Sequence, residues 1–145
     1  GCVTTSWKLI GANHRICVDA FDDPKVAGVA CHLSQARSGG LAGSFGLAED
    51  PSRFSIACRQ VGPITLPPQL PDQEVAFSAD TSIFFKETRI VRLIDRKRNT
   101  LVYLTYADRV IEGSPQNSVT AVAVPTTTPI PVKPWSLLLR NSVPL

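Results

Sequence analysis

The sequence predicts a mainly β fold: an antiparallel β-sandwich or open barrel with one or two short helices and an extended Pro-rich C-terminal tail. Three observations carry that expectation. Apolar and polar residues alternate in short runs, Gly, Pro, Asn and Asp interrupt those runs at close intervals, and no stretch reaches the roughly 18 apolar residues of a membrane-spanning helix. The 145 residues, 43% hydrophobic and 19% charged, suffice for one core and suit one domain rather than two. Residues 1–124 read as a single β-rich domain, and residues 125–145 as a Thr/Pro-rich tether with an apolar tail.

Val3–Ile10 reads as a strand, Gly11–His14 as a turn and Arg15–Phe21 as the hairpin partner. Asp22-Asp23-Pro24 ends that partner, because Pro removes a ladder donor and restricts the residue before it. Val29–Ala36 alternates, with Val29, Cys31 and Leu33 on one face, as a half-buried strand does. The run Gly39–Gly46 then reads as a φ-positive crossover loop. Glu49-Asp50-Pro51-Ser52 has the form of a helix start, with Asp50 as N-cap and Pro51 in the first turn. One helical turn there leads into a strand over Ser55–Val61, placing Phe54, Ile56 and Cys58 at period two and stopping at Gly62-Pro63.

Pro67, Pro68 and Pro71 make Thr65–Asp72 an irregular connection. Glu74–Ala79 and Ser82–Lys86 read as short strands. Thr88–Ile94 and Thr100–Tyr106 form the best-defined hairpin, around the turn Asp95–Asn99. With Ile94 facing Thr100, Val91, Leu93, Leu101 and Tyr103 share one face, and Ile90, Ile94, Val102 and Leu104 the other. Two apolar faces place this hairpin in the middle of a sheet. Gly113-Ser114-Pro115 resembles a second capped start, for a short helix before the apolar run Val119–Val124. Pro125–Pro134 is a stiff tether, and Trp135-Ser136-Leu137-Leu138-Leu139 an apolar hook suited to docking on a partner.

The chain has four cysteines and no methionine. The missing initiator predicts removal of a signal peptide or trimming. Cys2, Cys17, Cys31 and Cys58 form no C-x-x-C pair, so the short spacings of a zinc ribbon are absent and no metal is expected. No nucleophile motif surrounds any of them, and a catalytic thiol would depend on His14 or His32 as its base. One or two disulfides in an exported protein is the better reading, with the pairing open.

The glycines of Gly39–Gly46 lack the Gly-Lys-Ser/Thr ending of a P-loop and do not fit the dinucleotide fingerprint, so no nucleotide cofactor is expected. A net charge of +3 is too small to argue for nucleic acid. Arg96, Lys97 and Arg98, with Lys86, Arg89, Arg92 and Arg109 near in sequence, lack an aromatic platform and read as a solvated turn with edge charges. Glu49 with Asp50, and Asp22 with Asp23, are carboxylate pairs that acid–base or hard-cation chemistry can use, but a cap and a turn account for both. Arg59 is the cation to watch, as a partner of Glu49 or Asp50 or as an anion ligand. No Gly-x-Ser-x-Gly elbow is present.

Five segments occur in an order and spacing that carry a resemblance: Trp7–Gly11, Ala20–Pro24, Gly46–Asp50, Ile56–Ile64 and Glu112–Asn117. Together they resemble the CreA family of small exported bacterial proteins over about residues 1–124. The resemblance implies a periplasmic location after signal-peptide removal and a disulfide between Cys31 and Cys58, and it implies no reaction. Closing that span stabilises by about 3.5 kcal/mol in the chain-entropy account. Cys2 and Cys17 stand where the family pattern has other residues, and the tail is longer than usual. In a simple hairpin around Gly11–His14, Cys17 lies opposite Lys8, so a Cys2–Cys17 bridge needs a twist, a bulge or other partners.

The leading functional expectation is a non-enzymatic binding or accessory protein of the envelope, docked through Trp135, Leu137, Leu138 and Leu139. The alternative is a small-ligand-binding protein or hydrolase with its site between the Gly39–Gly46 loop and Glu49–Asp50, beside Arg59.

Overall fold

A computed structural model describes residues 1–6, 13–39, 48–78, 88–107, 116–131 and 145. All eight elements in it are strands: β1 (Cys2–Ser6), β2 (Asn13–Asp22), β3 (Ala27–Gly39), β4 (Ala48–Thr65), β5 (Gln73–Ser78), β6 (Thr88–Asp95), β7 (Thr100–Ala107) and β8 (Asn117–Ala123). They form two antiparallel four-stranded sheets, β1-β2-β3-β4 and β5-β6-β7-β8. Val29, Cys31, Leu33, Ile56 and Cys58 from the first sheet meet Ile90, Ile94, Leu101, Tyr103 and Val122 from the second in one core. The architecture is sandwich-like, as the alternation implies.

The sheets also touch at one side. The Ile56 N–H donates to Ser118 Oγ at 3.4 Å and the Cys58 N–H to Thr120 Oγ1 at 3.2 Å. Both sequence positions advance together, so β4 and β8 run parallel here. Hydroxyl groups bridge the seam where a backbone ladder would close a barrel.

Several sequence expectations need correction. No helix begins at Glu49–Ser52, because the backbone there is already part of β4. The register jumps between Arg37↔Glu49 and Gln35↔Phe54, leaving residues 50–53 opposite Ala36 alone. In such a bulge the donor that Pro51 lacks is not needed, so the signal that suits a first helical turn is equally tolerated in a strand. Nor does Gly62-Pro63 stop β4 at Val61, since the strand runs on to Thr65 through a second register shift, between Ala27↔Thr65 and Val29↔Gln60. Gly28 makes that shift possible. Its φ is +86°, and a Cβ at this position would lie 2.3 Å from the Pro63 carbonyl oxygen. Only glycine tolerates both conditions.

The first hairpin pairs Cys2 with Cys17, not Lys8 with Cys17, with a shift between Thr4 and Ser6. The β6–β7 hairpin is one residue out of the expected register, with Asp95↔Thr100 and Ile94↔Leu101. Asn99 adopts φ 48°, and the Asp95 carboxylate accepts the Arg98 N–H at 3.2 Å. Those two features bring Thr100 back opposite Asp95. A one-residue slip exchanges the faces. The core face therefore carries Ile90, Arg92 and Ile94 against Thr105, Tyr103 and Leu101.

Asn99 then holds the chain beyond β8. Its Nδ2 donates to the Val124, Pro125 and Thr128 carbonyls, and its Oδ1 accepts the Ile130 N–H at 2.9 Å. Arg96 donates to the Pro131 carbonyl, and Ile130 is buried in the core. The first residues of the Thr/Pro-rich stretch are thus packed on the sandwich. The expected strand Ser82–Lys86, the expected helix at Gly113-Ser114-Pro115 and the hook Trp135–Leu139 lie outside the described residues. Among the described residues no helix is long and apolar enough to cross a membrane.

Candidate functional site

Among the described residues, the densest polar cluster lies between the two sheets. One rung of the second sheet places Glu74 on β5, Arg92 on β6 and Tyr103 on β7 side by side. Facing them is Asp23, in the turn between β2 and β3. Arg92 grips Asp23 with a two-pronged contact, Nε to Oδ2 at 2.7 Å and Nη2 to Oδ1 at 2.8 Å. Tyr103 Oη donates to Oδ2 at 2.7 Å, and the Lys25 N–H donates to Oδ1 at 2.9 Å. Arg92 Nη1 reaches Glu74 Oε2 at 2.8 Å, and Lys25 Nζ pairs with Glu74 Oε1. The side chains of Asp23 and Arg92 are both fully buried.

Burial alone pushes the Asp23 carboxyl up. The hydrogen bonds from Arg92, Tyr103 and the Lys25 N–H, with the Arg92 charge, outweigh it and hold the group below its ordinary value. For Glu74, burial is again opposed by Lys25 and Arg92, and the net direction is down. Burial raises the Tyr103 hydroxyl, and its bond to Asp23 raises it further. Arg92 loses by burial and gains more from Asp23 and Glu74, so it stays charged.

Each Asp23 oxygen accepts two donors, and Nε, Nη1 and Nη2 of Arg92 are each committed. The Asp23 carboxylate is thus fully occupied by its neighbours. The cluster's chemistry is that of an ionic latch between sheets, worth little against an apolar replacement but costly to break on one side.

All four cysteines are bridged, as Cys2–Cys17 and Cys31–Cys58, and there is no free thiol. The second bridge is the pairing the resemblance implied, and both join directly opposed residues of neighbouring strands. Arg59 Nη1 donates to the Cys58 carbonyl at 2.8 Å. Glu49 and Asp50 lie earlier on the same strand, with Asp50 nine residues before Arg59, and their side chains fall outside the described residues. So do residues 40–46 of the glycine loop, Gly39 being the last residue of β3. In the basic turn, Arg96 binds Asp72 through Nε at 2.9 Å and Nη2 at 2.5 Å, and Arg98 binds Asp95 at 2.9 Å. Two of its three cations therefore serve the fold.

The sequence profile described as "CreA protein" matches residues 1–127. The chain belongs to the CreA family. It is 48% identical over 139 residues to "Protein CreA" of Escherichia coli K12, covering 93% of this chain and 83% of that one. The proteins of the same name from Escherichia coli O6:H1 and O157:H7 match equally. No solved structure matches the chain. The CreA profile takes in Asp23, Glu74, Arg92, Tyr103 and all four cysteines.

The sequence reading takes Asp23 as part of a strand end and of a carboxylate pair, and Arg92 as an edge charge near a solvated turn; Arg92 is instead fully buried on a central strand, against Asp23. The available signal was Arg92 itself, a lone cation inside the apolar run Ile90–Ile94. Such a residue on a central strand requires a buried anion.

Proposed function

We propose that this CreA-family protein is a non-enzymatic binding or accessory protein of the bacterial envelope, acting outside the cytoplasm. The observation that carries the reading is the pair of disulfides: four cysteines, all bridged, in a chain of 145 residues. Bridges of this kind persist in oxidising compartments and are rare in the cytosol. The docking segment in this reading is the stretch after Pro131, with Trp135, Leu137, Leu138 and Leu139 as its apolar contacts. Asn99 and Arg96 fix the chain up to that point, which gives the segment a rigid origin.

The experiment is fractionation of bacteria expressing the complete gene from its own promoter, followed by native sizing of the envelope extract. Recovery outside the cytoplasm, in a large species that a chain ending at Pro131 fails to enter, is the expected result. A cytoplasmic protein with four reduced thiols would end the reading. An unchanged large species after truncation would end its docking part.

A further inference from the structure

The two disulfides sit in different surroundings. Cys31 and Cys58 are both 0% exposed and pack in the core with Leu33 and Ile56. Cys2 is exposed, and only its partner Cys17 is buried, at 4%. Cys2 belongs to β1, which among the described residues is the outermost strand of its sheet and pairs with β2 alone. No residue of β1 joins the core, and Val3 is 68% exposed. Among the described residues, β1 is held by the ladder to β2, which Gly1 extends with two bonds to Val18, by the bond from Thr5 Oγ1 to the His14 carbonyl, and by the bridge itself. Exchange requires a thiolate to reach a disulfide sulfur, so access selects the bond that reacts.

We propose that Cys2–Cys17 is a reversible redox site, opened and closed by a dithiol protein of the Cys-x-x-Cys class, while Cys31–Cys58 stays shut as a permanent staple. The donor thiolate attacks Cys2 Sγ, the S–S bond breaks, and Cys17 leaves as a thiolate that takes up a proton. The donor's second thiol then attacks the mixed disulfide and releases Cys2 as a thiol. Two electrons and two protons pass from the dithiol to the bridge, and the donor ends as a disulfide. Opening unties β1 and bares the ladder edge of β2 over His14–Cys17. The inference rests on exposure and strand order and does not depend on the envelope reading.

The test treats the native protein with dithiothreitol, and separately with a reduced Cys-x-x-Cys protein. Free thiols are trapped by alkylation at successive times and mapped by peptide mass, alongside amide hydrogen exchange. Cys2 and Cys17 should become alkylated at least about a hundredfold faster than Cys31 and Cys58, because the latter react only through larger openings. Protection should fall in Cys2–Ser6 and in the facing residues of β2, and return on reoxidation. The doubly substituted chain, Cys2→Ser with Cys17→Ser, should show the same exchange pattern without reductant. Opening of both bridges at one rate, survival of Cys2–Cys17 until the protein unfolds, or full protection of β1 in the reduced or substituted chain would each overturn the proposal.

Discussion

Replacing Asp23 by Asn removes one charge and almost no volume, and the structure sets the cost. Arg92 is fully buried and directs two of its donors at this carboxylate. Oδ1 also accepts the Lys25 N–H, and Oδ2 the Tyr103 hydroxyl. Whichever way the new amide turns, its NH2 faces two donors. The remaining counter-charge on Arg92 among the described residues is Glu74, partly exposed and shared with Lys25. Breaking a buried pair from one side costs about 3–5 kcal/mol, a large share of the roughly 5–15 kcal/mol that stabilises a domain. The expected result of urea unfolding is a lowered midpoint with an unchanged slope, and Tm falling by roughly 10 °C. Adding Arg92→Met should recover part of the loss, because the second change removes the stranded charge. A cost of less than about 1 kcal/mol for Asp23→Asn, or strict additivity of the two substitutions, would refute the latch.

Gly28→Ala should destabilise by about 2–3 kcal/mol in the same assay, from the strained φ and the Cβ's collision with the Pro63 carbonyl. A neutral effect would show that the β3–β4 register shift is not held there. The pH dependence follows from the latch. Asp23 and Glu74 lie below their unfolded values of 3.8 and 4.5, so as pH falls the unfolded chain takes up protons first. Stability is therefore present above about pH 5 and lost progressively below it. Tyr103 is raised, and an unfolded tyrosine ionises near 10.0, so its contribution is complete below that pH and lost above it. Chemical unfolding across pH should show both limbs, with Asp23→Asn flattening the acid limb and Tyr103→Phe the alkaline one.

The strands were legible where period two is unambiguous: Val29, Cys31 and Leu33, and again Ile56 and Cys58, face the core as alternation requires. Pro51 and Pro63 misled because a proline marks the loss of a donor, and a bulge dispenses with that donor as readily as a helix start or a strand end does. The latch was hidden by register. Pairing Ile94 with Thr100 sets Val91 and Leu93 beside Tyr103, whereas the φ of Asn99 shifts the hairpin by one and brings Arg92 opposite it. Asp23 lies 69 residues from Arg92 and 80 from Tyr103, a separation no local pattern encodes.

The disulfides, by contrast, join residues close in sequence. Both disulfides lie within the first sheet and close spans of only 15 and 27 residues. Short spans cost less entropy to close than long ones. Every sulfur is contained in the first 58 residues, so both bridges close within a stretch that holds no strand of the second sheet. The first sheet is thus stitched within itself, whereas noncovalent contacts, the core and the Arg92 grip on Asp23 among them, hold the second sheet against it.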